Sequence, residues 1–188
     1  MTDIQADEYW AKKGKVDLFM FRKRRAGDAG LPVLFLVHGS SFCGATGFDL
    51  QVPGRNDYSL MDRFADARFD VWTMDHEGYG RSSRTDGYSD IASGVADLEA
   101  GFDVVMRETG AASALFYGSS SGALRAAAFA QARPDAVSRL VLDAFVWTGK
   151  DAPTLKKRAE NLGYFRSHNT RPVDRAFFES IFTRDKPG

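Results

Sequence analysis

A serine with glycine two residues away on each side, Gly118-Ser119-Ser120-Ser121-Gly122, lies between an apolar run, Ala114 to Tyr117, and a helix-forming run, Ala123 to Ala132. This stretch constrains the fold more than any other, because it asks for a sharp turn from strand into helix. Such a bend needs small neighbours, and it pushes the central serine hydroxyl out of the sheet. Three adjacent serines between glycines also suit a plain loop. The flanking strand-like and helix-like runs favour a nucleophile at Ser120, which would sit at a helix N-terminus whose dipole favours developing negative charge.

The rest of the chain fits that turn. Val33 to Val37 is apolar without alternation, which is how a strand buried on both faces of a parallel sheet reads. Val16 to Phe21 and Phe69 to Met74 are further strands, and Leu140 to Leu142 opens another. Ser59 to Ala67 reads as an amphipathic helix with Ser59 as its cap. Ile91 to Arg107 is helical, with Ile91, Val95, Leu98, Phe102 and Val105 spaced by three or four. His38 to Asp57, rich in glycine, reads as loop. The alternation predicts an α/β fold: a mostly parallel sheet with helices on both faces. Arg22-Lys23-Arg24-Arg25 could contact phosphate, but the turn glycines that follow favour a solvated hairpin or edge. Composition shifts after Trp147, where basic and aromatic residues interleave. We therefore expect a core over residues 1–147 and a separate helical segment over 148–188.

Composition narrows the function classes. Lys plus Arg and Asp plus Glu number 25 each, so no global charge favours nucleic acid or an anionic membrane. One cysteine, Cys43, excludes an internal disulfide framework and suits a reducing compartment. No apolar run approaches the length of a membrane span, and Met1 to Glu8 lacks the apolar core of a signal peptide. A cytoplasmic protein acting on a small-molecule substrate is the expectation. The three histidines fall in no metal-ligand spacing, so neither metal nor cofactor is expected. Phe numbers 15, enough to line an apolar pocket, although core filling is the more ordinary use.

Three motifs, in order, resemble those of the α/β-hydrolase superfamily: His38-Gly39 after the Val33 to Val37 strand, Asp75-His76-Glu77-Gly78-Tyr79-Gly80-Arg81-Ser82 after Met74, and the turn from Gly118 to Gly122. The resemblance covers roughly residues 16 to 147. It implies that Ser120 is the nucleophile on an elbow and that the backbone N–H groups of Ser40 and Ser121 form the oxyanion hole, with Ser41 as a substitute for Ser40. It implies an architectural role for the Asp75 loop, so neither Asp75 nor His76 is counted as catalytic. A helical cap is expected from about Thr148, with Tyr164, Phe165, Phe177, Phe178 and Phe182 as a lining or as the cap's own core.

Serine needs a base, normally a histidine oriented by a carboxylate. In this superfamily the order is serine, acid, histidine, and only His168 follows Ser120, in a polar part of the helical segment. Asp143, at the end of the Leu140 to Leu142 strand, is the visible acid. The expectation is an N-terminal portion of a longer capped serine hydrolase, its base and usual acid lying after Gly188. Acyl transfer from a carboxylic ester is the expected reaction. Carbon–carbon bond hydrolysis, peptide cleavage and perhydrolysis stay open, whereas epoxide opening and dehalogenation use aspartate at the elbow. A catalytically silent homologue acting as a binding protein is the main alternative. A Rossmann-type oxidoreductase is weaker: Gly78 to Ser83 is half a dinucleotide fingerprint, Leu124 occupies a glycine position, and Tyr9 and Lys13 precede the turn they should follow.

Overall fold

The computed structural model describes residues 3–55, 57–145 and 148–182. The chain divides into two compact units, Met1–Trp147 and Thr148–Gly188.

The first unit is built on one sheet. Strands β1 (Ile4–Lys13), β2 (Val16–Arg25), β3 (Val33–Val37), β4 (Asp70–Met74), β5 (Ala114–Ser119) and β6 (Val137–Asp143) lie in the order β1-β2-β4-β3-β5-β6. The β1–β2 hairpin joins β4 antiparallel, while β4, β3, β5 and β6 run parallel. Helices α1 (Gly44–Phe48), α2 (Leu60–Asp66), α3 (Ile91–Thr109) and α4 (Ser121–Ala132) complete the unit. Every residue of β3 and β4 is buried, as the unbroken apolar runs require of strands covered on both faces.

Side chains alternate across the sheet. Val33, Phe35 and Val37 join Leu98, Phe102 and Val105 of α3 and Phe129 of α4 in one core. Leu34 and Leu36 face the other way, onto Phe48 of α1 and Met61 and Ala65 of α2. Phenylalanine does much of the filling: Phe35 stacks on Phe116 at 5.3 Å, and Phe129 lies 5.0 Å from Phe116. The caps follow the sequence, with Ser59 Oγ accepting from Asp62 N–H at 2.9 Å and Asp90 Oδ1 accepting from Ser93 N–H at 2.7 Å.

Four differences from the sequence reading have physical causes. Strand β1 went unread because it is an edge strand whose only buried residue is Ala11. The region read as loop holds the short helix α1, whose first N–H is fixed by Asp75 rather than by local propensity. Helix α4 starts at Ser121, two residues early, since the elbow itself supplies its first turn. The basic run does lie in a hairpin, β1–β2, but only its second half reaches solvent: Arg24 and Arg25 are half-buried, whereas Arg22 and Lys23 are buried, Arg22 paired with Asp70 and Lys23 with Asp49 and Asp62.

In the second unit, helices α5 (Pro153–Ala159), α6 (Leu162–Ser167) and α7 (Arg175–Phe182) follow one another. The side chains of Phe178 and Phe182 lie outside the described residues. No helix of the described residues is long and apolar enough to cross a membrane.

Candidate active site

The carboxyl ends of β3, β4, β5 and β6 deliver His38, Asp75, Ser120 and Asp143 to one edge of the sheet, the usual place for a site in a parallel sheet. Ser120 has φ 56° and ψ −120°, a conformation that only glycine adopts without strain, worth about 1–3 kcal/mol. Two hydrogen bonds hold it there. Its N–H donates to the Asp143 carbonyl at 2.9 Å, and its carbonyl accepts from Ala123 N–H at 3.0 Å. Its hydroxyl is exposed and has no partner among the described residues.

The elbow glycines answer to close approach. A Cβ on Gly118 would lie 2.5 Å from the Gly122 carbonyl oxygen, and one on Gly122 would lie 2.5 Å from the His38 carbonyl oxygen. Both obstacles are backbone and cannot rotate away. Gly122→Ala is therefore expected to cost about 3 kcal/mol, the upper range for overpacking. Gly47→Ala, whose Cβ would meet only Phe42 Cβ at 4.0 Å, is the control that stays neutral or gains slightly. Equal denaturant midpoints for the two variants would refute the packing account.

The predicted oxyanion-loop residues come together at the elbow. Ser40 Oγ lies 3.3 Å from Ser121 Oγ, and a Cβ on Gly39 would sit 3.0 Å from Ser120 Cβ. Asp75 braces this loop from below. Its carboxylate accepts Gly44 N–H at 2.7 Å and Arg81 N–H at 2.9 Å, while Ser82 Oγ donates to its carbonyl at 2.5 Å. Burial pushes the Asp75 carboxyl up, opposed by those two N–H groups. At Gly80, φ is 49° and an added Cβ would strike the same carboxylate, so the loop needs glycine there.

Residues 53–173 match the family described as serine aminopeptidase, S33. The chain belongs to this family of α/β-hydrolases. No curated protein matches it. Among solved structures, it is similar to the thioesterase domain from the curacin biosynthetic pathway, at 21% identity and a TM-score of 0.64 over 97% of this chain and 63% of that one. A hydrolase described as CIB-like from Thermoplasma acidophilum has 18% identity and a TM-score of 0.56, over 73% and 61%. Epoxide hydrolase A from Mycobacterium thermoresistibile has 29% identity and a TM-score of 0.55, over 72% and 38%. The chain thus spans less than two thirds of each of these hydrolases, and the likeness is one of fold.

Within this α/β-hydrolase frame, Asp143 is exposed, and its Oδ2 accepts from Tyr117 OH at 2.8 Å and from Ser119 Oγ at 3.2 Å. Burial and that carboxylate push the Tyr117 phenol up to about 12. His168, in the second unit, stacks on Tyr164 at 4.3 Å, with Nδ1 at 3.0 Å from Ser167 Oγ. Among the described residues no group of three or more metal-ligating side chains could hold a metal ion.

One cluster escaped sequence reasoning. Buried His76 places Nδ1 at 3.0 Å from Asp97 Oδ2, which also accepts Glu77 N–H at 3.0 Å. Lys13 pairs with both Asp97 and Glu77. Burial pushes Asp97 up, yet His76, Lys13 and the Glu77 N–H outweigh it and hold the carboxyl below its usual range. Burial lowers His76 to about 4 and His38 to about 3. The available signal was Asp97 itself, a charge beside Leu98 on the buried face of α3.

Proposed function

We propose that this chain carries the nucleophile of a serine hydrolase working by acyl transfer, with Ser120 Oγ as the attacking atom and a carboxylic ester or related small apolar compound as acyl donor. The observation that carries the reading is the strained, exposed serine at the first turn of α4, beside Ser40 and Ser121. Attack of Oγ on the carbonyl carbon breaks the bond to the leaving alkoxide, which takes the serine proton by way of a base. Water then releases the acid from the acyl-enzyme. Charge gathering on the carbonyl oxygen would be met by the N–H groups of Ser40 and Ser121, each such donor worth about 2.7–4 kcal/mol.

Serine at this position also speaks against epoxide opening, despite the shared fold. Attack by a hydroxyl on an epoxide carbon would leave an ether, which water does not readily cleave, whereas an acylated serine hydrolyses. An amide donor is the neighbouring option and requires a proton for the leaving amine. Asp143 is our acid, with Oδ1 as the oxygen available to an imidazole. Residues 148–188 are read as the start of a helical cap, whose exposed Leu155, Leu162, Tyr164 and Phe165 suit an apolar lining. A cytoplasmic setting belongs to the same proposal.

Neither His38 nor His76 offers the serine a base: both rings are buried, His38 has both nitrogens bonded, and His76 has Nδ1 on Asp97. That observation favours a second reading, a binding protein on a hydrolase fold. Labelling of the full chain with a fluorophosphonate, followed by peptide mapping, separates the two. Acyl transfer expects the adduct on Ser120 and none on Ser119 or Ser121. A folded chain that takes the label at a residue other than Ser120 favours the binding reading.

A further inference from the structure

His38 is 1% exposed, and both of its ring nitrogens are engaged. The Gly39 carbonyl can only accept, so Nδ1 carries the proton and donates to it at 2.7 Å. The His76 N–H can only donate, so Nε2 is the lone pair that accepts it at 3.1 Å. The imidazole is thereby neutral and fixed in one tautomer, consistent with a burial that drives its protonation down to about 3.

The Gly39 carbonyl shares a peptide plane with the Ser40 N–H. A peptide unit is planar and trans, so its carbonyl and N–H point in opposite directions on one rigid plate. Gripping the carbonyl aims the N–H, and a hydrogen bond to the carbonyl also strengthens the N–H as a donor. Behind His38, Asp97 Oδ2 binds the His76 ring and the Glu77 N–H. It thereby clamps the backbone that presents the His76 N–H to His38.

We infer that His38 is a positioning residue for the oxyanion hole: its Nδ1–H sets the direction of the Ser40 N–H, and the His76–Asp97 pair holds the imidazole in the tautomer that does so. This rests on the acyl-transfer reading of Ser120. A histidine that merely fills the core would need only its volume, whereas this role needs a donor at one ring position.

Two substitutions separate the ring positions. His38→Asn places an amide donor near Nδ1, and His38→Gln places its polar end near Nε2. Where the chain labels with a fluorophosphonate, His38→Gln should slow the inactivation step about a hundredfold, the scale for losing one oxyanion donor, with initial probe binding unchanged. His38→Asn should recover most of that rate. Equal rates for the two variants would overturn the proposal.

A nitrogen-15 NMR arm on the full chain is independent of any activity. The unmutated chain should show the His38 proton on Nδ1. The residual dipolar coupling of the Ser40 N–H should change in His38→Gln and hold in His38→Asn. A proton on Nε2, or a Ser40 coupling indifferent to His38→Gln, would overturn the inference. The tautomer is read on the unmutated protein, so this measurement stands even where a variant fails to fold. An unmutated chain labelled at a residue other than Ser120, with both NMR outcomes as expected, would instead count against Ser120 as nucleophile.

Discussion

Ser120→Gly will abolish fluorophosphonate labelling and at the same time make the chain more stable. The two effects share one cause. Ser120 is held at φ 56° by its N–H bond to the Asp143 carbonyl and by the Ala123 N–H, and a side chain there costs about 1–3 kcal/mol that glycine does not incur. Glycine also gives the unfolded chain more freedom, which takes back about 0.5–1 kcal/mol. The net gain is of order 1 kcal/mol, or about 2–4 °C in melting temperature for a chain of this size. Ser120→Ala keeps the Cβ and therefore the strain, and the exposed hydroxyl it removes has no partner among the described residues. Its melting temperature should match the unmutated chain while labelling falls at least about a thousandfold, as for removal of a nucleophile from a catalytic triad. Measuring both variants side by side separates chemistry from strain. A glycine variant less stable than the alanine variant would show that the elbow is relaxed, and labelling at an undiminished rate in either would remove Ser120 from the mechanism.

That elbow was legible because its requirements are local. A bend that admits only small residues leaves glycines at fixed spacing, and Gly118 and Gly122 face backbone atoms that no rotation can clear. The buried strands were equally plain, since a strand covered on both faces must be apolar throughout, as Val33 to Val37 is. Strand β1 was hidden for the opposite reason: on a sheet edge its polar residues face solvent and carry little pattern. Arg22 and Lys23 misled because charge in a sequence suggests water, yet each has an acidic partner far along the chain. The His38–His76–Asp97 chain joins residues from two loops and a helix through single hydrogen bonds. No spacing rule encodes such a link; only the packing of α3 over the sheet reveals it.

The same buried histidines should make stability depend steeply on pH in a window where surface histidines would not. His38 and His76 are lowered by burial to about 3 and about 4 from an ordinary value of 6.5. In the unfolded chain both take up protons as pH falls through about 6.5, whereas in the folded chain they stay neutral. The unfolded state therefore binds more protons, and the free energy of unfolding rises with pH across that interval. Stability is fully present above about pH 6.5 and is lost as pH falls toward the folded-state values. Each histidine contributes a slope approaching about 1.4 kcal/mol per pH unit. Asp97, held low by His76 and Lys13, adds loss in the same direction at more acid pH, and Asp75, pushed up by burial, opposes it. Two histidines together reach about 2.7 kcal/mol per pH unit, and a domain stable by about 5–15 kcal/mol cannot absorb that for long. Denaturant unfolding at a series of pH values should show a midpoint that is steady above neutrality and drops steeply below about pH 6. His38→Asn should roughly halve the slope by deleting one of the two titrations. A flat profile down to about pH 5 would mean that the rings reach water, and with it the fixed tautomer that aims the Ser40 amide would be lost.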